Sequence, residues 1–93
     1  MSGGYGPTEP ATKDIQDLCD QVKSKVQEIT GKNYGEYTAF KFRSQVVAGT
    51  NYLIKVHVGD DYIHVIIFKD QGGEVALSDV NEGQTKVSPL EPF

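Results

Sequence analysis

Three side chains in this chain carry the chemistry for covalent catalysis: Cys19, His57 and His64. A thiol and an imidazole are the minimum for a nucleophile and its base. The pattern around them argues against that use. Cys19 falls beside Leu18 and Val22 in a run with helical spacing, where a lone cysteine acts as a small hydrophobe. His57 and His64 fall on the polar faces of adjacent strand-like runs, as cross-strand neighbours around Gly59-Asp60-Asp61, and no third group is placed to orient either. Asp60 and Asp61 add carboxylates but match no metal-ligand spacing, so no metal and no cofactor are expected. The unusual chemistry lies in Gln45-Val46-Val47-Ala48-Gly49. These residues separate two strand-like runs and so form a hairpin tip, where backbone requirements favour Gly, Asn, Asp, Ser and Pro. Here two branched apolar side chains and an alanine stand where water should be, and exposed apolar surface of that kind marks a docking site. Alternation lets one of Val46 and Val47 fold back on a core, but not both. The tip offers a narrow wedge with little side-chain entropy to lose, each fully desolvated valine contributing roughly 1.5–3 kcal/mol.

The elements that must position this tip are legible in the periodicity. Residues 1–11 form an arm bearing glycine and proline, with little to bury and expected to be mobile. Thr12 is placed as an N-cap with Asp14 near the helix N-terminus. Ile15, Leu18, Val22, Val26 and Ile29 recur at helical spacing, which predicts one amphipathic helix of roughly four to five turns. Gly31 stops it. The period then switches to two. Phe40, Phe42 and Val46 alternate with Lys41, Arg43 and Gln45. Tyr52, Ile54, Val56 and Val58 alternate with Lys55 and His57. A third strand covers Tyr62 to Lys69, apolar on both faces, so its core face is left open. Gln71-Gly72-Gly73-Glu74 is a turn, and a short last strand is expected from Val75 to Val80. A helix followed by consecutive antiparallel strands is an α+β pattern, laid out most simply as a helix across one face of a curled meander. In a meander alternate turns share one end of the sheet. The tip at 47–50 and the turn at 71–74 are therefore expected side by side, with the arm able to join them.

Ninety-three residues make one domain, expected to span 1–93, with a single modest core. A composition of 38% hydrophobic and 24% charged residues fits a soluble globular chain. No apolar run approaches the roughly 18 residues a membrane helix needs. A net charge of −4 supplies no basic footprint for nucleic acid or anionic lipid, so neither is expected as a partner. Met1 to Pro7 shows neither a basic nor an apolar leader region, and Cys19 has no second cysteine to pair with. Both point to a reducing, cytoplasmic setting.

The string from Ser44 to Tyr52 resembles the inhibitory signature of the cystatins, protein inhibitors of papain-like cysteine proteases. It is most similar to that of the stefins, the type 1, disulfide-free branch. Pro10-Ala11-Thr12, Asp20-Gln21-Val22, the run Ile54 to Asp60 and the terminal Phe93 extend the resemblance over nearly the whole chain. It implies a cystatin-like α+β fold with one long helix across a curved antiparallel sheet of about four to five strands. It implies that Ile63, Val65 and Ile67 face inward, that His64 and Ile66 face outward, and that Leu90 and Phe93 pack onto the sheet. It also implies reversible, competitive inhibition of proteases such as the cathepsins, without catalysis, through a three-part wedge. The tip Gln45 to Gly49 is the centre of that wedge. Gly3 falls at the position of the stefin trunk glycine, with Gly4 as a second candidate. Gln71, Gly72 and Gly73 take the place of a longer loop that in stefins commonly carries a Leu-Pro pair, so this loop is expected to contribute less. The rival reading is a non-inhibitory interaction module on the same scaffold. The chain is expected to be a monomer, with Val47-Ala48-Gly49 as a strained hinge that could open into a domain-swapped dimer.

Overall fold

The computed structural model describes residues 4–93. Thr12 caps the first helix, its side-chain oxygen accepting from the Ile15 amide at 3.3 Å. Helix α1 spans Lys13–Gln21 and α2 spans Lys23–Thr30. Together they are the expected single helix, interrupted only at Val22, whose φ of −106° and ψ of 6° leave the helical region. The Val22 amide bonds back to Cys19 at 3.2 Å, a tighter turn, and the ordinary ladder resumes where Val26 donates to Val22 at 3.0 Å. Gly31 ends α2 in the left-handed conformation at φ 73°, which costs a glycine little, with its amide on Gln27 at 2.8 Å.

The sheet is an antiparallel meander in the order β1-β2-β3-β4-β5: Glu9–Pro10, Thr38–Val47, Gly49–His57, Tyr62–Lys69 and Val75–Gln84. The last strand runs well past the expected end at Val80. The arm, expected to be mobile over 1–11, lies along the edge of β2 from Gly6 onward. Gly6 donates to Ser44 at 2.8 Å, Ala11 donates to Phe40 at 3.1 Å, and Glu9 and Pro10 stand opposite Phe42 and Lys41.

Helix and sheet share one main core. Ile15, Leu18, Cys19, Val22 and Val26 meet Ile54, Val56, Ile63, Val65 and Ile67, with Tyr37 closing one side. Gln16 ties α1 to the start of β2, its amide donating to the Tyr37 carbonyl at 3.1 Å and accepting from the Ala39 amide at 2.7 Å. Two features of the core depend on what lies beyond the local period. Ile29 sits on the helical stripe yet is 61% exposed, because the end of α2 overhangs the edge strand β5 and no further strand covers it. Near the start of β2 it is Phe42 and the neighbour of Phe40 that face inward, because the β2–β3 register shifts between Ala39 and Lys41. The bulge puts Ala39 on the core and sends Phe40 to the outer face against Tyr62, at 6.0 Å between ring centroids.

The outer face is also covered. Leu53, Ile66 and Leu90 form a second buried cluster with Tyr5 packed against it. Leu90 thus packs on the sheet as expected, whereas Phe93 remains 42% exposed. The residues after β5 return across this face. Lys55 is buried there, its ammonium donating to the carbonyls of Thr85, of Lys86 at 3.0 Å and of Ser88 at 2.7 Å. Removal from water and the nearby charge of Lys41 hold its pKa below the ordinary lysine value.

Candidate functional site

The hairpin joining β2 and β3 is as tight as a hairpin can be. Val46 stands opposite Thr50 and Val47 opposite Gly49, leaving Ala48 alone at the turn. Just below, the Gln45 side chain accepts from the Asn51 amide at 3.0 Å and ties the two strands together. Neither valine folds back on the core. Val46 is 80% and Val47 45% exposed, because the hairpin projects beyond the reach of the helices. The tip is an apolar prow, not a turn hiding its side chains.

Gly49 sets the position of that prow. Its φ of 116° lies in the region that disfavours side chains, and a Cβ there would stand 2.6 Å from the Lys69 carbonyl oxygen and 2.8 Å from the Phe68 ring. The glycine therefore does more than permit a reversal: it lets β3 leave the tip pressed against the end of β4. That contact joins the first hairpin to the second. Val46, Val47, Gly49, Thr50 and Tyr52 line a notch whose other wall is Lys69, Asp70 and Gln71.

The second loop is organised by one side chain. The Asp70 carboxylate accepts from the amides of Gly72 and Glu74, each at 2.9 Å, while its own amide donates to the Glu74 carbonyl at 2.9 Å. Gly73 completes the turn at φ 91°. Gln71, Gly72 and Gly73 are all exposed and present no apolar side chain. On the other flank, the Gly6–Ser44 bond aims the arm toward the tip, with exposed Gly4 at its described end. Gly3 lies outside the described residues. The structure thus brings Gly4, the tip and the 71–73 turn to one end of the sheet.

The catalytic candidates are not brought together. Cys19 is buried on the helix side of the sheet, and burial and the neighbouring Asp20 push its thiol up to about 12, far from a thiolate. His64 lies on the opposite face, opposite Lys55 in the strand register, with its pKa pulled down to about 4 by burial and by the Lys55 charge. His64 was expected on a polar face; it is instead buried beneath the covered outer face. His57 stands opposite Tyr62 rather than His64, stacked on that ring, with its Nδ1 2.6 Å from the Glu36 carboxylate. Among the described residues no group of His, Cys, Asp and Glu could hold a metal ion.

One residue of consequence was read only as a polar strand position. Arg43 donates from Nε to the Gly6 carbonyl at 2.8 Å, from Nη2 to the Tyr5 carbonyl at 3.2 Å and from Nη1 to the Leu90 carbonyl at 2.9 Å. The available signal was Leu53 and Ile66, apolar residues at outward positions that imply a covering on that face.

Comparison with known proteins agrees with this geometry. The family model described as "Cystatin domain" matches residues 3–88. Cystatin-B of Macaca fuscata fuscata is 43% identical, aligning with 100% of this chain and 99% of its own length. Cystatin-A1 of Sus scrofa is 42% identical over 100% of this chain and 94% of its own length, and Cystatin-B of Homo sapiens 41% over 100% and 99%. On the fold, the projecting tip and these full-length matches, the chain belongs to the cystatin family, with the stefin-type members, which are protease inhibitors and not enzymes.

Proposed function

We propose that the chain is a reversible, tight-binding, competitive inhibitor of papain-like cysteine proteases, cathepsins among them, working as a monomer in the cytoplasm. The observation that carries this reading is the pair Val46 and Val47, both exposed on a tip that Gly49 presses against the end of β4. Burying what remains exposed of both in a protease cleft would contribute roughly 2–4 kcal/mol before other contacts are counted. The wedge occupies the cleft on both sides of the catalytic cysteine without reacting with it. A closed hairpin resists cleavage because its chain is folded back and cannot be drawn out as an extended strand through the catalytic centre. Gly3 and Gly4 lie along the non-primed side, where glycine lets the backbone approach closely. Gln71, Gly72 and Gly73 touch the other side with main chain and a single amide side chain. Opening the hinge at Val47-Ala48-Gly49 into a swapped dimer would straighten the wedge and abolish inhibition.

The test is a titration of active-site-counted papain with the protein, followed with a fluorogenic substrate. Stoichiometric loss of activity, recovered on dilution or with excess substrate, is the expected result. No inhibition at micromolar protein would overturn the reading and leave a non-inhibitory interaction module.

A further inference from the structure

Arg43 sits where three segments distant in sequence meet. Its guanidinium reaches the carbonyls of Tyr5 and Gly6 in the arm and of Leu90 in the tail, and it lies 5.9 Å from the centre of the Tyr5 ring. From its place on β2 it therefore clasps both chain ends at once. Among the described residues it has no carboxylate partner; its charge is met by main-chain oxygens.

The two ends are not held equally. The tail is fixed independently of Arg43, by the Lys55 ammonium on the Lys86 and Ser88 carbonyls and by Leu90 packed against Leu53 and Ile66. The arm shares that cluster through Tyr5 but has a thinner main-chain hold. Pro7 and Pro10 carry no amide to donate to β2, and the ladder covers only Glu9 and Pro10. Upstream of Glu9 its main-chain tie to β2 is the Gly6 amide on Ser44. A planar guanidinium with several donors can bridge carbonyls on two segments simultaneously; a lysine ammonium at the same place lacks that fork.

We propose that Arg43 is a positioning residue through which the fixed tail sets the course of the arm toward the tip. This rests on the inhibitory reading above. Gly4 leaves directly from the clasped pair Tyr5-Gly6, so the clasp decides how it approaches a bound protease. The tail then influences binding although it lies on the outer face, away from the tip.

The experiment combines amide hydrogen exchange at Gly6 in the free full-length protein with the dissociation rate from papain, for Arg43→Lys, Arg43→Ala, Leu90→Ala and the Arg43→Ala/Leu90→Ala double variant. Gly6 exchange is expected to rise about tenfold in Arg43→Ala, less in Arg43→Lys, with Ile54 and Val65 amides still protected. Leu90→Ala alone raises Gly6 exchange, but adds less than about twofold once Arg43 is gone, because the route is already cut. Dissociation from papain speeds up about three- to tenfold in the same variants. Unchanged Gly6 protection in Arg43→Ala overturns the proposal. So does an equal effect of Leu90→Ala in both backgrounds, which would assign the coupling to direct packing of Leu90 on Tyr5. Raised exchange with unchanged dissociation overturns the link to binding. If Arg43→Ala loses core protection, Arg43→Lys carries the same cycle. A parent chain that does not bind papain sinks the inhibitory reading, and the exchange data still decide the clasp.

Discussion

The two turns that share one end of the sheet are built by opposite means. The first, around Ala48, is tied below the turn by the Gln45–Asn51 side-chain bond and is shaped from outside, by Gly49 pressed on the Lys69 carbonyl and the Phe68 ring. The second, Asp70 to Glu74, is shaped from within, by a carboxylate that collects two amides. The first is thereby free to present valines, since the Gln45 and Gly49 contacts hold it without using the Val46 and Val47 side chains. The second uses its one committed side chain for structure and shows the solvent glycines and a glutamine. A turn held by packing elsewhere can display apolar surface. A turn that holds itself has less to display. This division also explains why the second loop can lose the apolar pair common in stefins and remain ordered.

That contrast can be broken most severely at Gly49. Gly49→Ala should destabilise the fold by about 2–4 kcal/mol, from backbone strain plus the clash with Lys69, and weaken inhibition by about a hundredfold or more. Denaturant unfolding and inhibition constants check both halves. Retained affinity would show that the contact between the hairpins does not position the tip. Next come Val46→Ser, expected to cost about 1.5–3 kcal/mol of binding, and Val47→Ser, more covered in the free protein and expected to cost about half as much. Because both valines are exposed, unfolding free energies should stay within about 0.5 kcal/mol of the parent. Loss of stability in step with affinity would contradict a prow held from outside. Asp70→Ala should do the reverse. Removal of two amide partners lowers stability by about 1–2 kcal/mol and affinity by threefold at most, about 0.7 kcal/mol. The smallest effect is a gain. Gln71→Leu adds apolar surface beside the notch and should tighten binding by about 0.5–1 kcal/mol. The leucine is better introduced alone, since proline at Gly72 would remove an amide that Asp70 holds. An unchanged inhibition constant would mean that this loop stands clear of the protease.

Much of this architecture was readable from spacing. The stripe Ile15, Leu18, Val22 and Val26 follows from the helical period, and the pairing of the two turns follows from counting hairpins. The inward set Ile63, Val65 and Ile67 came from family resemblance, since the β4 run is apolar on both faces. The phase of Phe40 was not readable, because a bulge adds one residue and reverses the face of everything before it. The exposure of Ile29 was not readable either, since the period says which side of a helix is apolar and not how far the sheet beneath it extends.

The residues themselves determined the oddity at Gln45 to Gly49, the single helix-and-meander plan and the absence of a usable thiol–imidazole pair. Each depends on local period or on side-chain chemistry, which a chain carries in its order. Only the tertiary structure decided that Gly49 is wedged against Lys69, and that Arg43 and Lys55 are not surface charges but clasps holding the arm and the tail. Strand alternation assigns a side chain to a face. What covers that face is supplied by segments distant in sequence, and their arrival is set by packing that no local pattern records.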